Sequence, residues 1–105
     1  MNWFYLITAG FFEIGWPIGI KMAQAPGYRW VGLIIATLCI ASSGFFMWLA
    51  QRTIAMGTAY AVWTGIGAAG TFLVGVMVYG DPSSLGRYLG VLLIISGVAV
   101  LKLSS

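Results

Sequence analysis

Glutamate 13 sits in the middle of a stretch that otherwise reads as membrane-spanning, and it is one of only two acidic residues in a chain of 105. A carboxylate at the centre of a bilayer costs about 2.5 kcal/mol or more on insertion scales. A fold that keeps such a group must compensate for it with a water-accessible cavity and a positive charge. The chain carries only five Lys and Arg residues of its own. Protons and a cationic substrate are therefore the natural counter-charges for Glu13.

The membrane class rests on composition. The chain is 61% hydrophobic and 7% charged, with a mean hydropathy of +1.00. The core of a small soluble domain cannot bury that much apolar surface. Histidine is absent and Cys39 is the single cysteine. That excludes a disulfide within the chain and a His/Cys metal site, and no cofactor or metal is expected. Cys39 reads as a small packing residue in an apolar helix. The net charge of +3 is spread along the chain, and without a basic cluster nucleic-acid binding is not expected. No nucleophile–base pair or phosphate loop points to an enzyme. Residues 1–22 lack a basic start and a small-residue cleavage site, and they contain Glu13, so they read as a first span and not as a cleaved leader.

Hydropathy predicts an all-α membrane protein with one four-helix unit over residues 1–105. The spans cover about residues 2–20, 30–50, 56–79 and 85–103, each close to the ~20 residues that cross a ~30 Å hydrocarbon core. The breaks carry turn chemistry at Pro26-Gly27, at Gln51-Arg52-Thr53 and at Gly80 to Ser84. Ser83 or Ser84 is placed to cap the fourth helix, and Asp81 reads as a solvated turn residue. Four helices enclose a transport pathway poorly, so a homodimer is expected. Lys21, Arg29 and Arg87 fall on one side of the membrane, and Arg52 and Lys102 on the other. Three against two is almost no positive-inside bias. Such a chain has little electrostatic reason to choose one orientation, and two opposed copies can pair antiparallel.

Around Glu13, spacings of three and four put Gly10, Trp16 and Pro17 on the same helical face. Gly10 is expected to leave space above the carboxylate. Trp16 offers an aromatic wall and an indole donor. Pro17 has no N–H, so the Glu13 backbone carbonyl lacks its usual partner and becomes a second acceptor. The same residues also fit a plain proline kink beside an interfacial tryptophan. In the third span Tyr60 and Trp63 stand three apart, followed by the small-residue run from Gly65 through Gly67 to Gly70. Gly65 and Gly67 are candidates for a bend that moves between two states, or for close packing alone. In the second span the hydroxyl of Ser42 or Ser43 can reach the Glu13 carboxylate, or bond back to its own helix. In the fourth, Gly90 and Gly97 share one stripe and form a candidate dimer seam. Trp3, Trp30 and Trp48 lie near span ends as interface anchors.

The run Ala9-Gly10-Phe11-Phe12-Glu13-Ile14-Gly15-Trp16, followed by Lys21, resembles the small multidrug resistance transporters, as does Gly57-Thr58-Ala59-Tyr60-Ala61-Val62-Trp63-Thr64-Gly65-Ile66-Gly67. The likeness extends along essentially the whole chain. Trp16 makes the pattern similar to the guanidinium-exporter subtype. The resemblance implies an antiparallel dual-topology homodimer in a bacterial inner membrane. It also implies proton-coupled export, in which paired Glu13 carboxylates take protons and substrate in turn. Functional roles are implied for Gly10, Glu13, Trp16, Ser43, Tyr60 and Trp63, with a bend at the third-helix glycines and a seam on the fourth helix. Expected partners are a small guanidinium-type cation such as guanidinium or guanylurea, protons, lipid and a second copy of the chain. Pro17 and Ala55-Met56 depart from the usual pattern and touch the site or its gating. Two further possibilities follow from residues alone: an exporter of quaternary ammonium or polyaromatic cations, and a membrane subunit that does not transport.

Overall fold

Apolar runs of this length fold as helices in lipid because every backbone polar group must find its partner within the segment. The computed structural model describes residues 2–104; Met1 and Ser105, the ends of the expected 1–105 unit, lie outside the described residues. Its helices are α1 (Asn2–Ala23), α2 (Arg29–Ala50), α3 (Met56–Val78) and α4 (Leu85–Leu103). All are long and apolar enough to cross a membrane. α1 passes through Pro17 and runs beyond Ile20 to Ala23, with Lys21 in its last turn. Gly27 (φ +83°) and Gly80 (φ +67°) take left-handed conformations in the first and third loops, where glycine carries no Cβ penalty. Ser84 caps α4 by accepting a hydrogen bond from the Arg87 backbone N–H at 3.3 Å.

α1 and α2 form an antiparallel hairpin whose backbones touch. A Cβ at Gly19 would meet the Ala36 backbone nitrogen at 2.7 Å and the Gly32 carbonyl at 2.8 Å, and one at Gly32 would strike the backbone of Gly19 and Ala23. Lipid tails are as apolar as leucine, so van der Waals contact between small residues drives this association. α3 lies beside α1 and runs in the same direction: Gly10 meets Ile66, Glu13 meets Gly67 and Ile14 meets Gly70. α4 packs antiparallel on α3 through Val98 against Gly65 and Tyr88 against Phe72. α2 barely meets α3.

The buried cluster is one-sided. Leu6, Ala9, Met47, Ala50, Ala59 and Val62 fill the end of the protomer that holds the α1 and α3 N-termini. The folded chain is a slab of 45 × 34 × 17 Å. A helix with side chains is about 10–12 Å across, so the slab is less than two helices thick. α4 is the least enclosed element, with Val91 as its only buried residue among the described residues.

Cation–π contacts mark both membrane ends. Arg52 lies 4.7 Å from the Trp48 ring centroid and Lys102 5.7 Å from that of Trp3 at one end; Arg29 lies 5.7 Å from Trp30 at the other. Such pairs suit the headgroup region, where the ring is half in lipid and the charge in water.

Candidate functional site

Glu13 is half-buried on α1, with its side chain against Gly67 of α3. Gly67 has no Cβ, and any side chain there would overlap the Glu13 Cγ. The glycine therefore makes the seat for the carboxylate stem. One helical turn from Glu13, the Trp16 indole N–H donates to the Glu13 Oε1 at 2.7 Å. The indole donor expected at Trp16 is thus engaged by Glu13 itself. One carboxylate oxygen is held, and the other faces no hydrogen-bond partner among the described residues. A carboxylate oxygen has two acceptor positions, so the group keeps acceptor positions free after the indole is bound.

Gly10 does not open space above the carboxylate. It is buried, and the Ile66 side chain fills the position, 2.8 Å from where a Cβ would stand. A glycine lets two helices approach, and here the approaching helix closes the gap.

Ser43 does not bond Glu13. It is fully buried; its hydroxyl donates to the Ala9 carbonyl of α1 at 2.7 Å and accepts from the Trp63 indole N–H at 2.7 Å. This single side chain ties α1, α2 and α3 together one turn from Glu13. Its geometry orients Trp63 and leaves the carboxylate to Trp16. Replacing Ser43 by Ala orphans a half-buried indole N–H and removes the interhelical bond to an Ala9 carbonyl that α1 itself already satisfies. We expect a loss of about 1–2 kcal/mol of stability, read as a lowered thermal unfolding midpoint in detergent, with Ser43→Thr retaining more of it.

Tyr60 and Trp63 stand together, ring centroids 5.6 Å apart and planes tilted by 55°. Trp63 is half-buried, whereas Tyr60 is 58% exposed. Since Gly67 marks the level of Glu13, Tyr60 lies seven residues, or about 10 Å, away along α3. The chain therefore brings Glu13, Trp16 and Gly67 together and holds Tyr60 apart, on an open face.

α3 is helical throughout its length past Gly65 and Gly67. Each glycine marks a close approach, Gly65 to Val98 and Ile94 of α4 and Gly67 to Glu13 of α1. Gly90 and Gly97 have nothing within 4 Å of a Cβ position and lie exposed along α4. Gly15, near Glu13, is a packing position: the Cys39 sulfur lies against it. The four-residue spacing of Gly15, Gly19 and Ala23 is the signal that marks this stripe.

A family model described as Small Multidrug Resistance protein matches residues 1–94. A protein of Yersinia pestis called "Guanidinium exporter" is 42% identical over 105 residues, which is 100% of each chain. Proteins with the same description from Citrobacter freundii and Klebsiella oxytoca are each 40% identical over 100% of this chain and 99% of their own.

Proposed function

The chain belongs to the small multidrug resistance family, and on that premise we propose that it exports guanidinium and small singly substituted guanidines, such as guanylurea, across the bacterial inner membrane in exchange for protons. It is a membrane transporter and not an enzyme. The observation that carries the substrate class is the Glu13 carboxylate oriented by the Trp16 indole on a glycine seat.

Guanidinium is planar, charged and rich in N–H donors, and a carboxylate accepts it in bidentate fashion. Aromatic faces add cation–π attraction, up to about 2 kcal/mol when water is excluded. The Glu13 backbone carbonyl, freed by Pro17, adds a further acceptor. A quaternary ammonium has no N–H and leaves these acceptors unsatisfied, at a cost of about 1–3 kcal/mol for each buried group. Selectivity thus arises from unmet hydrogen bonds in the wrong complex.

One protomer does not complete the aromatic wall, because Tyr60 is exposed away from Glu13. The working unit in this proposal is an antiparallel homodimer that joins through α4 along Gly90 and Gly97. Each Glu13 holds a proton or a cation, not both. If only loaded dimers reorient, inward protons drive outward substrate, with flexing at Gly65 and Gly67 moving α3 between the two states.

A flux screen in liposomes containing only this protein tests the reading. Guanidinium and guanylurea should exchange against a proton gradient, while doubly substituted guanidines and tetraphenylphosphonium move at least about tenfold more slowly. Comparable rates for guanylurea and tetraphenylphosphonium would assign the chain to broad multidrug export. No proton-driven flux at all would leave it a subunit that does not transport.

A further inference from the structure

Beyond Glu13 the two neighbouring helices continue in register toward one membrane face. Pro17 and Lys21 follow Glu13 at successive turns of α1, and Thr71 and Gly75 follow Gly67 at successive turns of α3. A cavity of about 190 Å³ opens between them, lined by Pro17, Lys21, Thr71, Gly75, Tyr79 and Asp81 among others. At 1.5 Å rise per residue, Thr71 lies about 6 Å and Gly75 about 12 Å along α3 from the level of Glu13. The opposite end of the protomer is filled by the cluster around Leu6, Ala9, Met47 and Val62. Within one protomer, therefore, the cavity lies along α1 and α3 on the Lys21–Asp81 side of Glu13, and its inner wall begins at Pro17 and Thr71, one turn beyond Glu13 and Gly67.

Two residues in this cavity carry unspent polarity. Thr8, Thr37 and Thr64 each donate their hydroxyl to a carbonyl four residues earlier in their own helix, at 2.8 Å. Thr71 does not, and its hydroxyl is buried without a partner. Rotation about χ1 exchanges hydroxyl and methyl and turns the oxygen toward a visitor. Asp81 is the only acid in the chain besides Glu13. It is exposed, as a turn residue should be, yet it is folded back onto α3. The left-handed Gly80 reverses the chain, the Asp81 backbone N–H bonds the Gly75 carbonyl at 3.0 Å, and its carboxylate lies against Gly75, where any side chain would displace it.

We propose that this cavity is a vestibular cation site that passes the guanidinium-type substrate between Glu13 and one membrane face, with Asp81 as its outer contact and the Thr71 hydroxyl as its intermediate one. The proposal rests on the transport reading above. Asp81 raises the local concentration of cations at the mouth. Lys21, on a flexible stem that reaches the headgroups, offsets the charge and keeps the carboxylate from trapping the ion. A conduction site needs this balance, favourable enough to enter and weak enough to leave. Thr71 offers an oxygen midway, where the wall is otherwise apolar.

The test compares equilibrium guanidinium binding in detergent with guanidinium exchange in liposomes. Thr71→Val removes the hydroxyl at constant shape and should leave binding within about twofold while slowing exchange about five- to tenfold, the effect of one lost hydrogen bond. Thr71→Ser should restore the rate. Asp81→Asn should raise half-saturating guanidinium and flatten the dependence of uptake on ionic strength. Wild-type exchange in both Thr71→Val and Asp81→Asn would overturn the vestibule while leaving transport through Glu13 intact. Loss of binding in Thr71→Val that serine does not rescue would also overturn it, by making Thr71 structural. Failure of the wild-type chain to bind guanidinium would instead sink the functional reading itself.

Discussion

Glu13→Gln protein, purified and reconstituted, should show no guanidinium exchange above empty liposomes, a fall of at least about a hundredfold. Glutamine keeps the shape of the side chain and its fit on Gly67, and the Trp16 indole retains a carbonyl oxygen to which it can donate. What disappears is the negative charge and, with it, the group that takes up a proton in the proposed exchange. Removing one partner of a buried charge pair costs about 3–5 kcal/mol, and 1.36 kcal/mol is a factor of ten. The substitution should abolish substrate-driven proton movement in the same vesicles, since in the proposed cycle one group serves both. The protein should still elute as folded wild type does. Residual exchange within tenfold of wild type would move the coupling away from Glu13.

The second large effect should come from a residue with no chemistry at all. Gly32→Ala adds one methyl group where the backbones of α1 and α2 meet, against Gly19 and Ala23. Side chains can step aside for a new atom, but two helix backbones can yield only by separating. We expect a loss of about 2–3 kcal/mol, seen as a sharp drop in the monodisperse fraction on size exclusion and in the unfolding midpoint. Gly44→Ala is the matched control on the same helix. Nothing lies within 4 Å of its Cβ position, so it should behave as wild type or slightly better, given alanine's higher helix propensity. Equal behaviour of the two variants would mean that the α1–α2 crossing is looser than the geometry shows.

These positions also show what the sequence made legible. The helices could be read because length and hydropathy are properties of contiguous residues. The Trp16–Glu13 pair could be read because three residues on a helix fix a face. Distant partners were another matter. Ser43 lies 34 residues from Ala9 and 20 from Trp63, and its local surroundings do not say which of several acceptors a serine will choose. Gly10 looked like space because glycine removes atoms from its own helix; Ile66, far along the chain, put atoms back. Asp81 looked like an ordinary turn acid because turn residues usually point to water. Its return onto Gly75 depends on a left-handed step at Gly80 and on a glycine six residues earlier, a combination visible only once the helix end is built. The small-residue stripe of Gly15, Gly19 and Ala23 was in plain view, but without the facing Gly32 and Ala36 it gave no direction.

The scant packing of α4 sets an order of events in biogenesis. α4 leaves the ribosome after α1, α2 and α3, and along Gly90 and Gly97 its own chain gives it nothing to touch. The α1–α2 hairpin, closed backbone to backbone, needs nothing that is synthesised after it. In the proposed dimer, each copy therefore finishes insertion with its α4 surface still facing lipid, and meets its mate by lateral diffusion in the plane of the bilayer. Pairing then obeys mass action per unit of membrane area, so the active fraction should rise with the number of copies a cell makes and not simply in proportion to it.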